Sequence, residues 1–127
     1  MTKHVLLFEP FEMLAEMLVL SMEDLGFKVD IGNSDGDGEE LTDARHYACV
    51  FINLDQNRRD WHSHGLMLAT RASQLGVPVV MIPDNPSAQE IIRMEGWLQI
   101  KKPFKLDALK DIMERATWQR DAVAGTA

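Results

Sequence analysis

Acidic, amide and basic side chains directly follow several short apolar stretches of this sequence. Glu9 follows the first of them, and Asn53 and Asp55 lie at the end of another. Lys102 comes shortly after the last. Carboxylates are the ligands that hard divalent cations such as Mg²⁺ prefer, and a lysine ammonium binds anions. Because these residues are far apart in the sequence, such chemistry requires a fold that brings them together.

The histidines and the cysteine lack the spacing of a metal site or of an activated nucleophile. His62 and His64 lie two residues apart in a polar stretch without a cysteine nearby, and His4 and His46 are remote from them in the sequence. A zinc site needs more ligands than this pair, so solvated loop histidines are expected. Cys49 lies in an apolar run with no histidine positioned to activate it, which favours a packing role.

Composition limits the classes of protein to consider. The chain has 127 residues, of which 46% are hydrophobic, and a net charge of −7. This length fits one domain with its own core, and a single cysteine permits no disulfide within the chain. No apolar stretch resembles a secretory leader or a membrane span, so a cytoplasmic, non-membrane protein is expected. The acidic balance, with Arg58-Arg59 and Lys101-Lys102 as the adjacent basic pairs, argues against nucleic-acid binding.

Short apolar runs alternate with segments of helical spacing along the chain. The predicted strands are His4–Phe8, Lys28–Gly32, Ala48–Leu54, Val77–Ile82 and Trp97–Ile100. The predicted helices are Phe11–Leu25, Glu39–Arg45, Gly65–Ala72, Ser87–Met94 and a last helix from Leu106 onward. Most of the strand runs are continuously apolar, which is typical of parallel strands that are buried on both faces.

Polar and turn-forming residues set the boundaries of these elements. Asp55–His64 lacks an apolar period and is predicted to be a loop. Ser87 and Glu90 have the spacing of a capping box at the start of their helix. The domain is expected to span residues 1–118 and to end near Trp118, with residues 119–127 as a flexible C-terminal tail.

The alternation of strands and helices predicts the α/β fold class. Right-handed crossovers place helices on both faces of one five-stranded parallel sheet, which gives a three-layer sandwich. Ligands of such sheets bind beyond the carboxyl ends of the strands. The candidate site residues are therefore those of Phe8–Phe11, Ile52–Asp55, Pro83–Asn85 and Lys101–Pro103.

The segment Lys101-Lys102-Pro103-Phe104, which leaves the fifth strand, resembles a signature of response-regulator receiver domains. The Val5–Glu9 strand, the Leu25-Gly26-Phe27 helix ending and the Val77-Pro78-Val79 strand opening strengthen the likeness, which spans residues 3–118. The resemblance implies a flavodoxin-like (βα)5 fold and a stand-alone receiver domain of two-component signal transduction.

Receiver domains of this family hold Mg²⁺ between an acidic pair after the first strand and an aspartate that ends the third strand and accepts a phosphoryl group. Here Glu9 matches the first acidic position, but Pro10 stands at the second and Asn53 at the acceptor position. Pro83 stands where a Ser or Thr senses the phosphoryl group, and Lys102 matches the lysine that contacts it. The resemblance therefore implies a degenerate phosphorylation pocket.

The remaining charges of this pocket, those of Glu9 and Lys102, cancel. Mg²⁺ gains little from a neutral pocket with one carboxylate, and phosphoryl transfer without the ion loses its charge neutralisation. We therefore expect no catalytic residue, no metal, no cofactor and no enzymatic activity. A direct pair between Glu9 and Lys102 is a further hypothesis.

An alternative interpretation keeps the phosphorylation cycle. A bulge at the end of the third strand could bring Asp55 towards Glu9 and Lys102. Asp55 would then accept the phosphoryl group, with Mg²⁺ held by Glu9 and Asp55. A flavodoxin-like cofactor binder is a weaker alternative, because the first strand ends without a glycine-rich phosphate-binding turn.

The expected function is protein contact within a phosphorelay, with a histidine kinase or an output protein as the partner. The resemblance places Trp97 and Gln99 on the face formed by the fourth helix, the fifth strand and the fifth helix. Gln99 aligns with the family's switch aromatic, and Trp97 lies two residues earlier. An exposed Trp97 would anchor an interface or a homodimer, whereas the alternative is a ring folded onto the neighbouring helix.

Overall fold

Strands and helices alternate along the part of the chain that the computed structural model describes, residues 2–54 and 61–126. The strands are β1 (Lys3–Phe8), β2 (Phe27–Ile31), β3 (Tyr47–Asn53), β4 (Val79–Ile82) and β5 (Leu98–Gln99). The helices are α1 (Glu12–Asp24), α2 (Trp61–Gln74), α3 (Pro86–Glu95) and α4 (Leu106–Thr126), and a 3₁₀ helix spans Glu39–His46.

The five strands form one parallel sheet in the order β2-β1-β3-β4-β5. The three central strands are held in a defined register. Phe8 of β1 lies opposite Ile52 of β3, and Asn53 lies opposite Ile82 of β4. Because all neighbouring strands are parallel, their carboxyl ends meet at one edge of the sheet.

Hydrophobic clusters cover both faces of the sheet. Leu6 and Phe8 of β1 pack with residues of β3, α2 and α3 on one face. Val5 and Leu7 pack with α1 and α4 on the other face, as the alternation of side chains along a strand requires. β3 is buried along its whole length. These three layers form a flavodoxin-like α/β fold, which confirms the predicted fold class.

The segment after β2 differs from the short α-helix predicted there. Glu39–His46 is a 3₁₀ helix whose backbone leaves helical geometry at Asp43, with φ −107° and ψ 56°. Leu41 is buried in the cluster beneath it. Such tighter winding is common in short connecting segments, where few hydrogen bonds favour the α-helix.

α2 begins earlier than predicted. The prediction of a loop over Asp55–His64 is wrong for residues 61–64, which form the first turn of this helix. Trp61, Gly65 and Leu68 are buried at helical spacing, but the polar residues between them conceal the period when the sequence is read alone. Residues 55–60 lie outside the described part of the chain.

Asn85 caps the start of α3. Its Oδ1 accepts the backbone N–H of Ala88 at 2.8 Å, and Pro86 occupies the first helical position, where its missing N–H costs no hydrogen bond. The prediction of a capping box that starts at Ser87 is therefore wrong, because Ser87 already lies inside the helix.

α4 continues past the predicted domain end near Trp118 and reaches Thr126. Arg120 Nη1 donates to the backbone oxygen of Gly76 at 2.7 Å, and Lys3 Nζ lies 3.2 Å from Asp121 Oδ1. The sequence suggests a flexible tail from residue 119 onward, but in the structure these contacts hold the helix there against the rest of the domain. Neither α4 nor any other described helix is long and apolar enough to cross a lipid bilayer.

Candidate functional site

The ends of β1 and β3 bring a buried carboxylate and a buried amide into contact. Since Phe8 lies opposite Ile52, Glu9 and Asn53 follow as neighbours at the carboxyl edge of the sheet. Asn53 Nδ2 donates to Glu9 Oε2 at 2.6 Å. Glu9 is 3% exposed and Asn53 is 1% exposed. The sequence predicts that both residues lie at this edge, and the structure adds the bond between them.

The other carboxylate oxygen of Glu9 also accepts a hydrogen bond. The backbone N–H of Phe11 donates to Glu9 Oε1 at 3.0 Å and closes the turn between β1 and α1. Pro10, between them, has no N–H to offer. Both oxygens of this buried carboxylate thus accept hydrogen bonds from neutral donors. These bonds offset part of the free-energy cost of removing the carboxylate from water.

Trp61 fixes the main chain at the end of β3. Its Nε1 donates to the backbone oxygen of Asn53 at 2.6 Å, and its ring is 3% exposed. The backbone N–H of Leu54 donates to Ile82 of β4 at 2.9 Å. Trp61 was missed by sequence reasoning, although its spacing to Gly65, four residues later, is a signal that could have placed it on a buried helix face.

The remaining residues of the predicted pocket lie on the segments that leave β4 and β5. Pro83 directly follows β4 and is buried. Lys102 lies between β5 and α4, its side chain is exposed, and its peptide bond to Pro103 is cis. The strand order brings both segments to the edge where Glu9 lies. The direct pair between Glu9 and Lys102 stays a prediction, and Asp55 lies outside the described residues.

The chemistry available from these side chains is limited. Glu9 supplies a carboxylate and Lys102 an ammonium, so their formal charges cancel. Asn53 supplies a neutral amide, which is not a nucleophile, and Pro10 and Pro83 supply neither a hydroxyl nor a carboxylate. The bonded pair Glu9–Asn53 is therefore a buried polar contact between the ends of β1 and β3.

His62 and His64 belong to the first turn of α2, so the prediction of solvated loop histidines is wrong. His64 Nε2 lies 2.6 Å from the backbone oxygen of Gly36. His62 Nε2 lies 3.6 Å from Asp84 Oδ1, on the segment that follows β4. Both rings are half-buried and connect α2 with neighbouring segments.

Trp97 and Gln99 lie at β5, between α3 and α4. Trp97 is half-buried and packs against the cluster that includes Ala88 and Ile92 of α3. This packing favours a ring folded onto the neighbouring helix over an exposed anchor. Trp97 Nε1 and Gln99 Oε1 are buried atoms without a hydrogen-bond partner among the described residues.

An open groove of about 670 Å³ adjoins Gln99. Phe104 lines it with three charged residues of α4, namely Asp107, Asp111 and Arg115. Because the second predicted helix is a 3₁₀ helix, the predicted fourth and fifth helices are α3 and α4. The groove therefore lies beside β5 and α4, two of the three elements of the face that the resemblance assigned to protein contact.

Solved structures share this architecture. A response regulator receiver domain protein from Clostridium thermocellum matches with a TM-score of 0.78 at 12% identity, over 95% of this chain and 98% of the other. A CheY-like receiver domain protein from Methanospirillum hungatei matches with a TM-score of 0.71 at 18% identity, over 96% and 99%. NtrX from Brucella abortus, solved with ATP, matches with a TM-score of 0.79 at 23% identity, over 99% of this chain and 29% of NtrX.

No protein-family model and no curated protein matches this sequence. Two of the three solved structures are receiver domain proteins that match over nearly their whole length. At these identities the likeness concerns the fold. By the order of its strands, the packing of its two faces and these matches, the chain has the flavodoxin-like α/β fold of response regulator receiver domains.

Proposed function

We propose that this chain is a receiver-like protein of two-component phosphorelay signalling that acts by binding other proteins, without a phosphorylation cycle or an enzymatic activity of its own. The hydrogen bond from Asn53 to Glu9 is the observation that carries the proposal. It occupies the position where the receiver resemblance implies a phosphoryl acceptor beside a metal-binding acid.

The described residues at the aligned positions do not supply the ligands of a tight Mg²⁺ site. Glu9 supplies a carboxylate, whereas the aligned positions Pro10 and Asn53 supply none. Both oxygens of Glu9 already accept hydrogen bonds, from Asn53 and from the N–H of Phe11. Mg²⁺ would have to displace these bonds and shed water for one carboxylate, and it dehydrates reluctantly. No step of the proposed function involves the ion.

Receiver domains respond to phosphorylation by a conformational switch. This chain lacks the side-chain groups for that switch at the aligned positions Asn53 and Pro83. Asn53 has an amide in place of an acceptor carboxylate, and buried Pro83 has no hydroxyl to follow a phosphoryl oxygen. These two residues therefore can neither accept a phosphoryl group nor respond to one. Binding of a partner, by contrast, needs only a stable surface.

The face beside β5 is the proposed docking surface for a histidine kinase, an output protein or a second copy of the chain. Its groove combines the amide of Gln99 and the ring of Phe104 with the charges of Asp111 and Arg115. The net charge of −7 disfavours nucleic acid as the partner.

Intact-mass spectrometry after incubation with a small phosphodonor and Mg²⁺ tests the proposal. The expected result is an unchanged mass for the wild-type chain. The matched control is Asp55→Asn, which removes the alternative acceptor. Addition of one phosphoryl group to the wild type, lost in Asp55→Asn, would overturn the proposal in favour of a phosphoryl-accepting receiver that uses Asp55.

A further inference from the structure

We propose that His4, Asp30 and His46 form a binding site for a transition-metal dication, Zn²⁺ by its ligand chemistry, beside the first half of β1. One ligand atom from each of the three residues lies within 4.8 Å of the other two. Glu9 lies five positions after His4, just past the end of β1, which corresponds to about 16 Å of extended chain. The site is therefore separate from the strand-end contact on which the proposed function rests.

The sheet topology brings these residues together although they are remote in the sequence. Asp30 of β2 lies opposite Leu6 of β1, two residues from His4, so both side chains project from the same face of the sheet. His46 is the last residue of the 3₁₀ helix and directly precedes Tyr47, which lies opposite His4. Three neighbouring segments thus each contribute one ligand.

The distances are close to those of a metal site. His46 Nε2 lies 3.7 Å from Asp30 Oδ2, and the ring centroids of His4 and His46 are 4.0 Å apart. Ligand atoms that bind one tetrahedral Zn²⁺ are roughly 3.3 Å apart, given its usual bond lengths. His46 and Asp30 are exposed and His4 is half-buried, so small side-chain rotations can close the remaining gap and the ion can enter from solvent.

Two further observations support a cation at this place. His4 Nδ1 is a buried ring nitrogen without a hydrogen-bond partner among the described residues. Tyr47 Oη donates to Asp30 Oδ2 at 3.0 Å, which orients the carboxylate as outer-shell partners do in metal sites. Glu40 and Asp43 also act electrostatically on Tyr47, so a cation would enter an acidic neighbourhood.

The ligand types select the class of metal. Two imidazoles and one carboxylate suit Zn²⁺ and its neighbours in the transition series, whereas Mg²⁺ and Ca²⁺ prefer oxygen ligands. Three protein ligands leave a fourth position that water fills. The bound ion would tie the edge strand β2 and the 3₁₀ helix to the start of β1.

Isothermal titration calorimetry of the untagged full chain with Zn²⁺ tests the site. The expected result is one ion per chain, with an affinity that falls by about tenfold in Tyr47→Phe, which removes the outer-shell donor. A larger loss is expected in His46→Asn, which removes a ligand at an exposed position. His62→Asn is the matched control, since it deletes a histidine outside the cluster and should bind Zn²⁺ as the wild type does.

Nuclear magnetic resonance of the imidazole nitrogens gives a second readout that does not depend on variants. Zn²⁺ should shift the signals of His4 and His46 and leave those of His62 and His64 in place. Absence of Zn²⁺ binding at micromolar concentrations, unchanged binding in His46→Asn, or shifts confined to His62 and His64 would each overturn the site. None of these outcomes bears on the phosphodonor experiment, so the two proposals fail independently.

Discussion

Trp61 Nε1 donates to the backbone oxygen of Asn53 at 2.6 Å and thereby ties the first turn of α2 to the end of β3. Trp61→Phe keeps most of the ring but leaves a buried acceptor without its donor, so we expect a loss of about 1 to 3 kcal/mol in the free energy of unfolding. Urea denaturation followed by circular dichroism measures the loss. Trp118→Phe is the control, because Trp118 is 72% exposed and should tolerate the change.

Asn53→Asp tests whether the contact with Glu9 requires a neutral donor. The substitution removes the hydrogen bond from the Asn53 amide and places a second carboxylate beside that of buried Glu9, which repels it. An uncompensated buried charge costs about 3 kcal/mol of stability at neutral pH. The pKa of the introduced carboxyl group is expected to rise in the folded state. The destabilisation of the variant should therefore be small below the pKa that this carboxyl group has in the unfolded chain. It should grow as the pH rises towards the pKa of the group in the folded state.

Asn85→Asp is the matched control for that experiment. It makes the same chemical change at an exposed helix cap, where Asp and Asn are nearly equivalent. Urea unfolding of both variants at several pH values separates the effects. Equal stability of Asn53→Asp and Asn85→Asp would show that the contact with Glu9 does not depend on the neutral amide.

The capping of α3 predicts different effects for two neighbouring residues. Asn85→Ala removes the acceptor of the Ala88 N–H and should cost about 1 kcal/mol. Ser87→Ala should leave the free energy of unfolding nearly unchanged, because Ser87 lies inside the helix and is exposed. Thermal unfolding measures the stability of both variants. A larger loss in Ser87→Ala than in Asn85→Ala would support the capping box at Ser87 instead.

Cys49 is expected to resist thiol reagents in the folded protein. Burial raises the pKa of its thiol to about 12. The folded state therefore keeps the proton that the unfolded chain loses near its ordinary pKa, so this stabilisation is present below about pH 9 and is lost as the pH rises towards 12. A disulfide reagent at pH 8 should react slowly with the native chain and at once in urea, and rapid native labelling would contradict the burial.

The docking face predicts a separation of binding from stability. Arg115→Glu reverses a charge in the groove beside Gln99, so it should weaken self-association or partner binding with little effect on unfolding. Trp97→Ala should affect stability as well, since the ring packs against the core. Analytical ultracentrifugation and urea unfolding measure the two properties. Unchanged association in both variants would remove this face from the proposal.

Local patterns in the sequence predicted most of the elements. The apolar run Val5–Phe8 has no polar interruption, which is typical of a parallel strand covered on both faces, and all four residues are buried. The helical spacing of Leu18 and Met22 in α1 likewise matches its buried side. These features depend on residues within a few positions of each other, so the α/β fold class and the strand-end location of Glu9 and Asn53 were predictable from the sequence alone.

Contacts between distant segments were decided only by the tertiary structure. The bond from Asn53 to Glu9 depends on β1 and β3 being neighbours in register, and the approach of His4 to His46 depends on where the 3₁₀ helix ends beside β1. Trp61 extends α2 because its indole gains a buried partner and a place in the core, which outweighs the polar character of the surrounding sequence. Residue types set which local structures are favourable, whereas strand order and packing select the pairs of side chains that meet.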